Sequence, residues 1–178
     1  MEELRSKTCC LTGHRTLPPD EAAQIADRLD AALRQRIDQG YRYFGIGGAR
    51  GFDTLAAQCI LRLRAFYPAI RLILVLPCRD QARGWPLRDK FIYLWIKRQA
   101  DKLVYTAQCY EPGCMQKRNR HLVAHSSCCL CYLTSRTGGT AYTVACAKRA
   151  GLTVLNIADP PSAKPLIKCV KPSPMART

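Results

Sequence analysis

Two glycine-rich segments stand where backbone N–H groups could hold an anion. The segment Gly47-Gly48-Ala49-Arg50-Gly51-Phe52-Asp53-Thr54 lies between a strand-like and a helix-like apolar run, and Thr137-Gly138-Gly139-Thr140 lies in a second junction of this kind. Glycine allows positive φ and close approach of the backbone to a ligand, and the following helix directs free N–H groups and its positive dipole end at an anion. The two turns therefore favour a ligand that carries phosphate.

Several charged and polar side chains could hold the remainder of such a ligand. Arg15 and Arg118 could each clamp a phosphate with a planar guanidinium, although a solvated surface cation is the alternative for both. Asp53 could accept a ribose hydroxyl or act as a general base, or it could simply stabilise the first turn of a helix. His14 is a candidate acid or base, and Asn119 could bind a base or a sugar.

Two well-known phosphate-binding patterns do not fit the first turn. A Gly-x-Gly-x-x-Gly pattern that starts at Gly45 would need glycine at the position of Arg50, and no Gly-Lys-Ser/Thr is present. Hydride transfer and ATP hydrolysis are therefore disfavoured.

Trp85, in a polar segment, could stack on a base or cover an apolar edge.

Strand-like and helix-like segments alternate along the chain. Strands are predicted at residues 7–12, 41–46, 70–76, 103–107, 128–133 and 152–157, with helices at 18–39, 54–66, 86–100, 115–125 and 140–150. This order predicts an α/β fold: a single Rossmann-like three-layer domain over residues 1–157, with a mostly parallel sheet of about six strands. Residues 158–178 are rich in proline and lysine and are expected to form a disordered tail.

The predicted sheet would gather the polar motifs at one edge. Ligands of open parallel sheets bind outside the carboxyl ends of the strands. The predicted phosphate- or ligand-binding residues follow strand ends or open the adjoining helices. They are Thr12, Gly13, Arg15, Gly47, Gly48, Gly51, Asp53, Arg118, Asn119, Gly138, Gly139 and Thr140.

Composition limits the remaining possibilities. The 178 residues carry a formal net charge of +15, which raises the odds of a polyanionic partner without establishing one. The 11 cysteines fall mostly inside predicted strands and helices, as buried structural thiols do, and no metal site is expected. The absence of a long apolar run or signal peptide predicts a cytoplasmic protein with no membrane partner. Phe91 and Trp95 could belong to a core or to an interface, and a homo-oligomer remains open.

The motifs together resemble a known family. Thr12-Gly13-His14-Arg15, the segment from Gly47 to Thr54, Pro77, Trp85, Arg118-Asn119-Arg120-His121-Leu122-Val123 and Gly138-Gly139-Thr140 occur in this order. The set resembles the YpsA-like branch of the SLOG superfamily over about residues 7–157. The resemblance implies a Rossmann-like domain, related to DprA and to the LOG phosphoribohydrolases, that senses or processes nucleotides or nucleotide-derived ligands.

One departure from these relatives bears on catalysis. The LOG enzymes carry a glutamate after their Gly-x-Gly-Thr segment, whereas Gly138-Gly139-Thr140 continues as Ala141-Tyr142-Thr143-Val144. The favoured hypothesis is therefore binding of NAD, ADP-ribose or a nucleoside phosphate, with no certain cofactor. The alternatives are cleavage of an N-glycosidic bond with Asp53 as acid or base and His14 assisting, and DprA-like binding of nucleic acid through cations such as Lys117, Arg118 and Arg120.

Overall fold

Six strands form one sheet in which every neighbouring pair is parallel. The computed structural model describes residues 2–158. The strands are β1 (Thr8–Gly13), β2 (Tyr43–Ile46), β3 (Arg71–Leu76), β4 (Lys102–Tyr105), β5 (Cys128–Tyr132) and β6 (Thr153–Asn156). They lie in the order β4-β3-β2-β1-β5-β6. The predicted α/β class and strand number are confirmed, and the sheet of the described residues is entirely parallel.

Helices cover both faces of this sheet. They are α1 (Glu2–Ser6), α2 (Ala22–Asp38), α3 (Phe52–Arg64), α4 (Leu87–Gln99), α5 (Cys114–Ala124) and α6 (Gly139–Arg149). The buried residues of α2, α3 and α4 form one core, and those of α5 and α6 form a second core on the opposite face. The three-layer arrangement expected from the sequence is confirmed.

The start of α2 and the presence of α1 differ from the sequence-based expectation for local reasons. The helix predicted from Pro18 begins at Ala22, and residues 18–21 form a turn in which the Glu21 N–H donates to the Pro18 carbonyl at 3.2 Å. A proline disfavours helical backbone at the residue before it, so Pro19 keeps Pro18 out of the helix. The five-residue helix α1 was not predicted because it is too short to show periodicity.

Most of the cysteines are packing residues in the two cores. Cys9 and Cys128 are paired neighbours on β1 and β5 and face one core, whereas Cys10 and Cys129 face the other. Cys128 and Cys131 have Cys-x-x-Cys spacing on β5. Because an extended strand turns residues three apart to opposite faces, this pair cannot bind one metal. The ten cysteines within residues 2–158 are all free thiols.

The direction of the strand order changes between β1 and β5. From β1 the chain adds β2, β3 and β4 on one side, and it then crosses to place β5 and β6 on the other side of β1. The connection after β1 leads to α2 on one face, and the connection after β5 leads to α6 on the opposite face. The two connections therefore separate at the carboxyl ends of these strands and leave a crevice, which is where ligands bind in open α/β sheets.

The predicted tail lies, apart from residue 158, outside the described residues. No helix within residues 2–158 is long and apolar enough to cross a membrane.

Candidate functional site

An inner pocket of about 260 Å³ occupies the crevice at the carboxyl end of β1. Its walls come from the end of β1, the turn between β2 and α3, the helix α5 and the first residues of α6. The lining residues are Leu11, Thr12, Gly13, His14, Arg15, Ala49, Asp53, Met115, Arg118, Asn119, Leu122, Gly139 and Thr140. The fold thus brings together the three predicted loops and the cationic segment of α5.

An outer pocket of about 390 Å³ adjoins the inner one. The two share Arg15, Ala49, Met115 and Arg118, and the outer pocket adds Arg50, Asp80, Gln81, Arg83, Trp85 and Tyr110. Of the residues that the structure describes, four arginines and one aspartate line the outer pocket, which gives it a positive charge.

Asp53 and Arg118 are two buried charges on the wall between the pockets and the core. Their side chains are 7% and 8% exposed, and Arg118 Nη1 lies 3.7 Å from Asp53 Oδ2. This separation exceeds the length of a short charge-assisted hydrogen bond. The Arg118 Nε atom is buried and has no hydrogen-bond partner among the described residues. Arg118 therefore keeps unused donor capacity beside the inner pocket.

Burial dominates the electrostatics of both groups. It raises the pKa of Asp53 above its ordinary value, and the positive charge of Arg118 opposes this shift only in part. Burial likewise lowers the pKa of Arg118, against the opposing effect of Asp53. Both shifts mean that mutual attraction does not fully offset the loss of hydration, which is common for buried ion pairs.

In the first glycine turn, the side chain of Asp53 occupies a backbone N–H group. The Ala49 N–H donates to Asp53 Oδ2 at 3.1 Å, and the Thr54 hydroxyl donates to the Ala49 carbonyl at 3.1 Å. Asp53 lies in the first turn of α3, where its carboxylate interacts favourably with the positive end of the helix dipole. At least one N–H group expected to bind phosphate is thus satisfied internally.

Glycines in this turn serve close packing. A Cβ at Gly47 would overlap Arg118 Nη1, and a Cβ at Gly51 would overlap the carbonyl groups of His14 and Arg15. Gly51 has φ of +71°, in the region that favours glycine. The Phe52 N–H donates to the His14 carbonyl at 3.0 Å. The turn therefore holds the loop after β1 against α3.

His14 links two loops of the crevice. Its Nε2 accepts the Thr134 N–H at 3.0 Å, and its ring meets the Tyr132 ring edge-on with centroids 6.0 Å apart. The proton of the neutral ring is therefore on Nδ1. Because Nε2 is engaged with the backbone, this nitrogen is not available to an incoming group unless the contact breaks.

The second glycine turn is open to solvent. The helix α6 begins at Gly139. No side chain within residues 2–158 caps it, and a Cβ at Gly138 or Gly139 would meet no atom of these residues within 4 Å. Thr140 is buried and lines the inner pocket beside Gly139. The first turn of α6 thus lines the same cavity as Arg118, and the free N–H groups of a helix N-terminus suit an anion.

Asn119 and Trp85 occupy different parts of the crevice. Asn119 is 8% exposed, lines the inner pocket and makes no side-chain hydrogen bond to any described residue. Trp85 lies in the outer pocket, where its ring meets the Tyr93 ring with centroids 5.4 Å apart and lies 5.9 Å from the Arg50 guanidinium carbon. Both side chains have polar or aromatic surface facing a cavity.

The structure separates the predicted site residues into two groups. Thr12, Gly13, Arg15, Asp53, Arg118, Asn119, Gly139 and Thr140 line the inner pocket, as does His14. Gly47, Gly48, Gly51 and Gly138 do not line either pocket. The sequence analysis missed Ala49 and Met115, which line both pockets. Met115 lies one helical turn before Arg118, and this spacing was the available signal.

Comparisons with known proteins agree with this architecture. A family model described as the YspA SLOG family (YpsA) matches residues 18–153. The SPbeta prophage-derived protein YoqJ of Bacillus subtilis (strain 168) is 26% identical over 130 residues, which cover 66% of this chain and 76% of YoqJ. A UPF0398 protein of Bacillus thuringiensis (strain Al Hakam) is 28% identical over 127 residues, covering 67% and 69% of the two chains.

Solved structures share the fold at low sequence identity. DNA processing protein A (DprA) from Streptococcus pneumoniae superposes with a TM-score of 0.61 at 15% identity, over 85% of this chain. DprA from Helicobacter pylori, whose structure concerns its single-stranded DNA binding mode, gives 0.60 at 14% identity, also over 85%. This chain spans 50% and 65% of the length of these two proteins.

The family match covers most of the chain and includes the first glycine turn, α5 and the second glycine turn. The resemblance inferred from the ordered motifs is confirmed. The chain belongs to the YpsA SLOG family.

Proposed function

We propose that this protein binds a nucleotide or nucleotide-derived ligand in the crevice at the carboxyl ends of β1 and β5. Arg118 carries the proposal, because it is buried, charged and incompletely hydrogen-bonded beside a cavity. A buried guanidinium without full hydrogen bonding is costly in free energy unless a ligand completes its contacts. A phosphate group matches the planar donor geometry of arginine.

The phosphate would lie between Arg118, Arg15 and the start of α6. Arg15 is exposed at the mouth shared by both pockets, where its side chain can move towards an anion. The open N–H groups near Gly139 provide the third contact. In this arrangement the second glycine turn binds the ligand, and the first turn supports Arg118 through Asp53.

The remaining parts of a nucleotide have matching surfaces. Asn119, which has unused donors and acceptors in the inner pocket, would bind a sugar or a base edge. Trp85 in the outer pocket would stack on a base. The outer pocket is within the range of about 300–1,000 Å³ that small-molecule sites occupy. NAD, ADP-ribose and nucleoside phosphates are therefore the first ligands to test.

Hydrolysis of an N-glycosidic bond is the second candidate function. Among the described residues, Asp53 is the only carboxylate that lines the inner pocket, and burial raises its pKa towards the range of a general acid or base. Against this candidate, its Oδ2 is engaged with Ala49 and faces Arg118, and His14 Nε2 accepts a backbone N–H. Binding without turnover is therefore favoured.

Nucleic-acid binding is a third candidate, supported by the fold shared with DprA and the net charge of +15. Lys117 and Arg120 are exposed on α5, so they are accessible to a phosphate backbone. Because each phosphate contact releases counterions, this mode would lose affinity steeply as salt rises.

Thermal unfolding with NAD, ADP-ribose, AMP, ATP and a single-stranded oligonucleotide tests the proposal. A ligand at 100 times its dissociation constant stabilises the folded state by about 2.7 kcal/mol. We expect one nucleotide to stabilise the wild-type protein, and Arg118→Met to abolish this effect. Arg120→Met is the matched control, because it removes a charge from the same helix outside both pockets.

The outcomes separate the three candidates. Nucleotide stabilisation that Arg118→Met removes and Arg120→Met retains supports the proposal, and chromatographic detection of a product would assign turnover. Salt-sensitive stabilisation by the oligonucleotide alone, weakened by Arg120→Met, would overturn the proposal in favour of nucleic-acid binding. No stabilisation by any nucleotide would also refute it for this set of ligands.

A further inference from the structure

The helix α4 exposes a row of large apolar side chains to solvent. Leu87 is 72% exposed, Phe91 70%, Leu94 50% and Trp95 49%. Their spacing of four, seven and eight residues places them on one side of the helix. The opposite side of α4 buries Tyr93 and Ile96 against the protein core. We call the four exposed residues the α4 ridge.

The α4 ridge is unusual because α4 already has a buried apolar side. An exposed helix of a globular protein normally has polar residues opposite its buried face. Contiguous exposed apolar surface of this kind marks an interaction site more often than isolated apolar residues do. The sequence analysis could not assign Phe91 and Trp95 to core or interface, and their exposure excludes the core.

The shape of this surface favours a facing helix over an inserted peptide or small molecule. None of the ridge residues lines the inner pocket, the outer pocket or the two further cavities beside Tyr132 and Val104. A convex row of side chains packs well against the grooves of another helix, because ridges along one helix fit between those of its partner. The ridge therefore requires a partner with a helical or similarly ridged surface.

A second copy of this chain meets that requirement. In a two-fold arrangement with the axis between Phe91 and Leu94, two antiparallel α4 helices would place each ridge against the other. A two-fold interface uses the same patch on both subunits, so the apolar centre would face an apolar centre. Leu87 would then lie beside the partner's Arg98, whose charge would reach solvent at the end of the contact.

The available area is sufficient for a weak dimer. From their exposed fractions, the four side chains present on the order of 450 Å² per copy, since a large apolar residue offers about 150–250 Å². Two copies would bury roughly 900 Å² from the ridges, which lies in the range of weak and transient interfaces, below about 1,200 Å². Weak association is therefore expected.

The charges on this helix predict an unusual response to salt. Arg88, Lys90, Lys97 and Arg98 all belong to α4, and its single carboxylate, Asp89, is paired with Arg50 at 3.3 Å. Two α4 helices in contact would therefore repel each other electrostatically. Because salt screens this repulsion and leaves the apolar contact intact, the dimer would strengthen as salt rises. Binding to nucleic acid or anionic lipid would weaken under the same change.

We propose that the α4 ridge is a self-association surface through which two copies of this protein form a two-fold dimer. The ridge is separate from both pockets of the crevice, so this proposal does not depend on the identity of the ligand. Dimerisation would place the two crevices on one assembly without adding a partner residue to either.

Sedimentation velocity of the full chain from about 2 to about 200 μM tests this proposal across the affinity range of a small interface. Measurements at roughly 0.05 and 0.5 M NaCl cover Debye lengths from about 14 to about 4 Å. We expect a monomer–dimer equilibrium that is tighter at high salt. Phe91→Ser should weaken it by at least about tenfold, the effect expected for a central aromatic residue.

Two further variants control the experiment. Phe66 is an aromatic residue outside the ridge and is 71% exposed, like Phe91. Phe66→Ser should therefore leave dimerisation unchanged. Arg88→Gln removes one repelling charge and should tighten the dimer at low salt. Both positions are exposed, so neither substitution should disturb folding.

Several results would overturn the proposal. These are a monomer at all concentrations and both salts, a dimer unaffected by Phe91→Ser, or a dimer that weakens as salt rises. Co-sedimentation of the monomer with phosphatidylglycerol–phosphatidylcholine vesicles, lost in Phe91→Ser, would assign the ridge to a lipid surface instead.

Discussion

Replacing Asp53 with Asn and Arg118 with Met in one chain tests whether the crevice keeps two buried charges at the expense of stability. Asn retains an oxygen that can accept the Ala49 N–H, and Met fills much of the volume of the arginine stem. The wild-type charges lie 3.7 Å apart with less than a tenth of either side chain exposed. The double variant removes both charges together, so neither is left unpaired.

The structure predicts that the double variant is more stable than the wild type. The pKa of Asp53 is raised and that of Arg118 is lowered, so each group is ionised in the folded state at a free-energy cost that attraction does not fully offset. Replacement of buried ion pairs by neutral groups stabilises proteins by about 1–4 kcal/mol in several cases. We expect the lower part of this range, about 1–2 kcal/mol, because Met does not match the shape of arginine.

Urea unfolding at neutral pH measures the effect directly. In thermal unfolding of a domain of this size, the same gain of about 1–2 kcal/mol corresponds to a rise in Tm of roughly 2–8 °C. The same variant should lose any stabilisation by nucleotides, because the proposed phosphate contact is gone. The single variant Arg118→Met serves as comparison, since it leaves Asp53 buried without its counter-charge.

A double variant that is less stable than the wild type would refute this reasoning. The pair would then be a net stabilising contact, and its burial would need no ligand to explain it. Greater stability with unchanged nucleotide binding would keep the electrostatic argument and remove Arg118 from the proposed binding site.

Two other predictions concern the first glycine turn. Gly51→Ala should destabilise the protein by about 2 kcal/mol or more, because Gly51 has φ of +71° and a Cβ would overlap the Arg15 carbonyl; Gly84→Ala, at φ of +82° with open space around it, should cost only about 1 kcal/mol in the same urea titration. The raised pKa of Asp53 should also affect how stability depends on pH. Between the ordinary aspartate pKa of 3.8 and the raised pKa of the folded state, the unfolded state binds fewer protons than the folded state. The free energy of unfolding contributed by Asp53 therefore falls as pH rises through this window. Subtracting the pH profile of Asp53→Asn from that of the wild type isolates this contribution, and a difference that rises with pH would contradict the assigned direction.

Local patterns in the sequence were sufficient to predict the sheet and most of its helices. Continuous apolar runs such as residues 70–76 and periodic segments such as that of α2 report burial directly, because side chains repeat every two residues in strands and every 3.6 residues in helices. The alternation of these segments implies a parallel sheet, and a parallel sheet gathers the ends of its strands at one edge. The location of the crevice therefore followed from the sequence.

The partners of individual site residues were decided only by tertiary structure. Asp53 could have been a helix residue, a base or a ligand contact, and the fold places it between the Ala49 N–H and Arg118. Likewise, nothing in the sequence around His14 shows that its ring accepts the N–H of Thr134 from a distant loop. Such contacts depend on how segments far apart in the chain approach one another.

The exposure of α4 shows the same division. Its sequence is apolar on two sides, so periodicity could not tell which side faces the core. Packing against α3 and the core that they share buries Tyr93 and Ile96 and leaves Phe91 and Trp95 exposed. The sequence by itself determined the class of fold and the edge of the sheet at which the crevice lies, because local periodicity encodes burial. Tertiary structure alone decided which charges are paired and which apolar side remains free, because both depend on the packing of distant segments.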